Sequence, residues 1–102
     1  MLADLDRPAE EYFYEPWDRE VVLRRLSAMQ FVEIMKLVSA AGEDDVAAKV
    51  TTMAKVCSLG IVDPAGSAEQ WANETCVDTL MHLGNRVLTT TVDQLADEAK
   101  KN

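Results

Sequence analysis

Three short patterns constrain this chain more than any other feature: Ser27-Ala28-Met29-Gln30, Ser67-Ala68-Glu69-Gln70 and Thr91-Val92-Asp93-Gln94. In each, a hydroxyl residue stands three places before a glutamine. That spacing lets the hydroxyl oxygen accept from an orphan backbone N–H in a helix's first turn while the glutamine reaches back to the cap. Apolar residues at helical spacing follow. Phe31, Ile34, Met35 and Val38 form one stripe, and Val77, Leu80, Met81, Gly84, Val87 and Leu88 form a longer one after a short helix carrying Trp71. Val92, Leu95, Ala96 and Ala99 make the last. Between Gly42 and Gly60, Val46, Val50, Met53, Ala54 and Cys57 line another face, opened by the acids Glu43-Asp44-Asp45 and closed by Gly60. Ile61-Val62-Asp63-Pro64-Ala65-Gly66 reads as a turn. Such stripes with short connections predict an all-α fold, a small bundle of about four to five helices over residues 18–102. Glu20 to Leu26 is the exception, because Val21, Val22 and Leu23 suit a short β segment near residues 20–25 as well as a helix start.

Residues 1–17 read differently. They hold five acids and one arginine, carry Pro8 and Pro16, and contain Tyr12, Phe13, Tyr14 and Trp17, four of the six aromatic residues in the chain. The prolines discourage a helix there, so this segment is expected as an extended, acidic aromatic N-terminal arm. Four large rings in six positions give enough apolar area to anchor a segment in a groove. The same rings serve equally to fold the arm back onto its own bundle. Intramolecular packing is slightly favoured, since the bundle otherwise has only Phe31 and Trp71 as rings.

Charge narrows the partners. The 102 residues carry a net charge of -8, which argues against nucleic acid and against anionic lipid, since both need clustered cations. With 48% hydrophobic and 27% charged residues the composition is globular. Residues 1–17 supply -4 of the -8, so the helical body is closer to balanced. Met1-Leu2-Ala3-Asp4 has neither the basic nor the apolar region of an export signal, and no apolar run approaches a membrane span. Cys57 and Cys76 stand among apolar neighbours with no CxxC spacing, and are expected as two buried free thiols in a reducing cytoplasm.

No catalytic constellation emerges, and an enzyme is not expected. His82 is the only histidine, and with the two cysteines it offers three soft ligands where a structural zinc usually wants four. Glu43-Asp44-Asp45 lacks the alternation and distal glutamate of a calcium loop, and the four glycines form no phosphate-cradling loop. No metal and no cofactor is expected. The methionines at 29, 35, 53 and 81 fall in the helical stripes, where core is the first reading, although methionine-rich faces also adapt to partners.

The order of motifs is familiar. A tryptophan leads a charged, valine-rich segment (EPWDREVVLRRLSAMQ), a helical middle follows, then the IVDPAG turn, then a closing LMHLGNRVLTTTVDQLADEAKKN. Over residues 16–102 this resembles the small tail assembly chaperones of long-tailed bacteriophages. Two departures stand out: Gly66 is followed by Ser67-Ala68-Glu69-Gln70 where such sequences often place an aromatic, and the acidic arm precedes the shared region.

The resemblance implies a non-catalytic assembly factor in the host cytoplasm, absent from the finished virion. Such a protein coats the tape-measure protein, keeps its helical apolar segments soluble and is released as tail-tube subunits polymerise. It also implies a short form and a longer frameshifted form, and Lys100-Lys101-Asn102 requires A-rich codons of the kind slippery sites use. The partner-contacting residues expected are Tyr12, Phe13, Tyr14, Trp17, Met81, Val87, Leu88 and Leu95, and self-association is open to a chain with stripes this apolar. The alternative class is an acidic adaptor or DNA-mimic inhibitor seated on a basic site of a host protein.

Overall fold

The computed structural model describes residues 2–101, with the side chains of residues 3, 4 and 92–101 outside the description. Five helices and one sheet are present among the described residues: α1 (Leu2–Asp6), β1 (Glu10–Tyr14), β2 (Arg19–Leu23), α2 (Ala28–Ala40), α3 (Val46–Gly60), β3 (Ile61–Asp63), α4 (Ala68–Glu74) and α5 (Val77–Lys101). The fold is therefore helix-rich but not all-α. The correction comes from the segment expected as an extended arm.

Residues 10–17 enter the fold, while α1 ahead of them leaves Leu2 and Leu5 exposed. In β1 the side chains alternate, with Tyr12 and Tyr14 turned towards the helices and Glu11 and Phe13 turned to solvent. Pro8 precedes the strand and Pro16 sits in the 3-10 turn Glu15–Trp17, so neither proline interrupts the ladder. Asp18 closes that turn in the left-handed conformation at φ 51°, which its short polar side chain tolerates. β2 then pairs antiparallel with β1, Tyr12 opposite Val21 and Phe13 opposite Glu20. The β segment expected near residues 20–25 is present as β2.

The expected turn after α3 is also corrected. Ile61–Asp63 forms β3, which pairs antiparallel with β2 to give the order β1-β2-β3, with Leu23 opposite Ile61 and Val22 opposite Asp63. Only Pro64 onward turns. Val21, Leu23 and Ile61 form the inner face of the sheet and are buried against Ile34, Val56, Cys57, Leu80, Leu83 and Val87.

Two of the three capping patterns start helices. Ser27 accepts from Gln30 N at 3.2 Å while Gln30 Oε1 accepts from Ser27 N at 2.9 Å, and Ser67 with Gln70 repeats the exchange. α3 opens on Asp45, whose carboxylate accepts from Ala48 N at 3.0 Å. The third pattern starts nothing, since α5 runs through it without a break. The Thr91 hydroxyl is occupied elsewhere: it donates to Val87 O at 2.9 Å and accepts from Leu26 N at 3.1 Å. A hydroxyl bonded back along its own helix is not available to cap a new one.

α3 lies at the centre, against α2, α4, α5 and β3. Gly60 and Gly84 set how close it comes to α5. A Cβ at Gly60 would stand 2.4 Å from Val87 Cγ1, and one at Gly84 would stand 2.8 Å from Met53 Cε. The core follows Leu80, Leu83 and Val87 on α5, so Leu83 joins the expected stripe and Val77 falls off it into solvent. Cys57 is buried as expected; Cys76 is exposed, because it lies in the bend before α5 and not on a packed face.

Candidate functional site

α2 is buried far less than its composition suggests. Its thirteen residues include Met29, Phe31, Val32, Ile34, Met35, Leu37 and Val38, yet only Ile34 is buried. Met29 is 75% exposed and Val38 50%, with Val32 and Leu37 also open to solvent. On a helix wheel Val38, Phe31, Met35 and Val32 occupy a continuous arc beside Ile34, so the apolar stripe extends past the part that α3 covers. An apolar flank of that width is larger than scattered surface residues explain.

Where α2 ends, this flank meets a cleft of about 470 Å³. Val38, Ala41 and Gly42 form one wall, Thr52 and Met53 of α3 the floor, and Met81 and Asn85 of α5 the other wall. Glu43 and Lys49 stand at the mouth, with Lys49 Nζ donating to the Glu43 carbonyl. The bare Cα of Gly84 lets Met53 lie against α5, which keeps two methionines, Met53 and Met81, at the lining. A shallower groove of about 540 Å³ runs along α2 itself over Phe31, Val32, Met35 and Ala40. Both surfaces are apolar with flexible thioether side chains, a lining that adapts to irregular apolar guests.

The expected partner residues divide between this cleft, the interior and the sheet. Met81 lines the cleft. Val87 is fully buried in the core, on a helix that packs against α3, and so forms no outer surface as expected; Leu88 packs against the core but stays partly exposed. Leu95 lies outside the described side chains.

The four rings of residues 12–17 do not act as one surface. Tyr14 is buried, its hydroxyl 3.0 Å from Thr79 Oγ1, and its ring meets Trp17 edge-on at 5.2 Å. The Tyr12 hydroxyl stands 2.6 Å from His82 Nε2, and Arg86 covers its ring at 4.8 Å from the centroid. Trp17 stacks on Trp71. Phe13 alone faces outward, 48% exposed. These contacts hold the hairpin onto α4 and the first half of α5.

What the sequence reading missed is the set Met29, Val32, Leu37, Val38, Thr52 and Met53 as exposed or cleft-lining positions. The available signal was surplus: Val32 and Leu37 are apolar yet lie off the Ile34 stripe, and a helix with apolar residues left over needs a second neighbour.

Among the described residues no group of three or more His, Cys, Asp or Glu side chains is placed to hold a metal ion, and no helix is long and apolar enough to cross a membrane. Burial pushes the Cys57 thiol up to about 12. Its Sγ donates to Leu80 O, as a packing group does. No protein-family model, no curated protein and no solved structure matches the chain significantly.

Proposed function

We propose that this protein is a tail assembly chaperone of a long-tailed bacteriophage, working without catalysis in the host cytoplasm. It binds helical apolar segments of the tape-measure protein, keeps them soluble, promotes tail-tube assembly and leaves before the virion is complete. The single observation that carries the reading is the uncovered flank of α2 continuing into the cleft with α3 and α5. An amphipathic client helix laid along that flank buries its own apolar stripe against Val32, Met35 and Val38. Client and chaperone then present the acidic exterior, whose like charges keep complexes apart. Tail-tube subunits compete for the client during polymerisation, and a frameshifted longer form of the chain accompanies the short one.

Co-expression with the tape-measure protein tests the reading. A complex recovered at micromolar concentration, with the client in the soluble fraction, is the expected result. An insoluble client and no complex contradicts it.

One observation favours a second reading. Glu10, Glu11, Glu15, Asp18 and Glu20 are all exposed along the hairpin, an arrangement an acidic adaptor of a basic host protein would use. That reading requires binding that weakens steeply with salt, whereas client capture by the apolar flank is nearly indifferent to it.

A further inference from the structure

A second cleft, of about 230 Å³, lies where the hairpin turn meets α4, and it shares no lining residue with the client cleft. Trp17, Pro64, Gly66, Trp71 and Glu74 border it. The two indoles are stacked, 20° apart in plane with centroids at 6.2 Å. Trp17 remains half-exposed and offers its ring to the cleft, whereas Trp71 is only 4% exposed.

Among the described residues Trp71 Nε1 has no hydrogen-bond partner. A buried indole N–H ordinarily meets an acceptor, because leaving it unpaired forfeits the bond it made to water. Gly66 lies over that nitrogen, where an added Cβ would stand 3.2 Å away, so the donor sits beneath the loop at the edge of the cleft. At the end of α4 the exposed carboxylate of Glu74 has no ion pair among the described residues. Arg19, the cation of the hairpin, is held by Asp63 at 3.0 Å. The cleft thus combines an aromatic face and an unpaired carboxylate in a chain of net charge -8.

We propose that this cleft binds an arginine side chain of a partner protein. The guanidinium lies flat on the half-exposed Trp17 indole beside Glu74. A planar, weakly hydrated cation suits both the ring face and the carboxylate, which a compact ammonium does less well. The site stands whether or not the protein is a tail chaperone, since it uses neither α2 nor the client cleft.

The chain's two tryptophans are both in this cleft, so tryptophan emission, excited where tyrosine does not absorb, reports on it. Titration with N-acetyl-arginine N-methylamide is expected to give a saturable change in emission. The citrulline counterpart, of the same shape but uncharged, is expected to bind roughly tenfold more weakly. Glu74→Gln, at an exposed position where the helical circular dichroism is expected to stay unchanged, is expected to abolish the preference for arginine. No saturable change with the arginine compound overturns the proposal, as does equal binding of the two compounds or an arginine preference that survives Glu74→Gln.

Discussion

Tyr14 and Thr79, sixty-five residues apart, meet in the interior with their hydroxyls 3.0 Å from each other. This contact fastens the edge strand β1 to α5 and makes the N-terminal segment part of the core. Tyr14→Phe keeps the ring and removes one hydroxyl, leaving Thr79 to find another partner in a buried site. The expected loss is about 1–2 kcal/mol of unfolding free energy in a urea titration. Unchanged stability shows that the contact holds nothing.

Thr91 makes a sharper test, because its hydroxyl serves two backbone groups at once. Thr91→Val preserves shape but leaves the buried Leu26 N–H without its acceptor, with an expected cost of about 1–3 kcal/mol. Thr91→Ser retains the oxygen and is expected to recover most of that loss. Comparing the two by thermal denaturation separates the hydrogen bond from packing.

Gly60 and Gly42 are expected to respond oppositely to alanine. A methyl at Gly60 runs into Val87, so Gly60→Ala is expected to destabilise by about 1–3 kcal/mol, and Val87→Ala in the same chain should make the second change less costly. Gly42 has nothing within 4 Å of the added carbon, so Gly42→Ala is expected to stay within about 0.5 kcal/mol of the parent. Equal effects at the two sites contradict the close α3–α5 approach.

The two thiols are expected to separate cleanly in a disulfide-exchange assay at neutral pH. Cys76 is exposed and should react in the folded protein, while Cys57, buried with its thiol raised to about 12, should react only on unfolding. Two fast thiols in native buffer contradict the burial of Cys57.

Local signals were legible in the sequence where they were self-contained. Ser27 with Gln30 and Ser67 with Gln70 satisfy their own first turns, so the pattern alone locates both helix starts. The Thr91 pattern misled because its hydroxyl is claimed by Leu26, sixty-five residues earlier, and no local spacing reveals that partner. Tyr12 and Tyr14 alternate as a strand does, but the flanking prolines and the acids obscured the period; only pairing with β2 decides it. β3 was hidden for the same reason, since three residues beside Pro64 look like a turn until β2 supplies the other side of the ladder. The candidate site was legible only in part. Met81 was named, whereas the open flank of α2 depends on which neighbours fail to cover it, a property of the assembled fold.

Binding to a synthetic amphipathic helix from the tape-measure protein, measured by calorimetry for the parent chain and for Val32→Asp/Val38→Glu, tests the central claim most directly. Both positions are exposed, so the variant is expected to keep the parent's circular dichroism and melting behaviour. The account predicts micromolar binding by the parent and a loss of about tenfold or more in the variant, from charge placed on the apolar contact. Equal binding by the two proteins, or none by the parent, contradicts it.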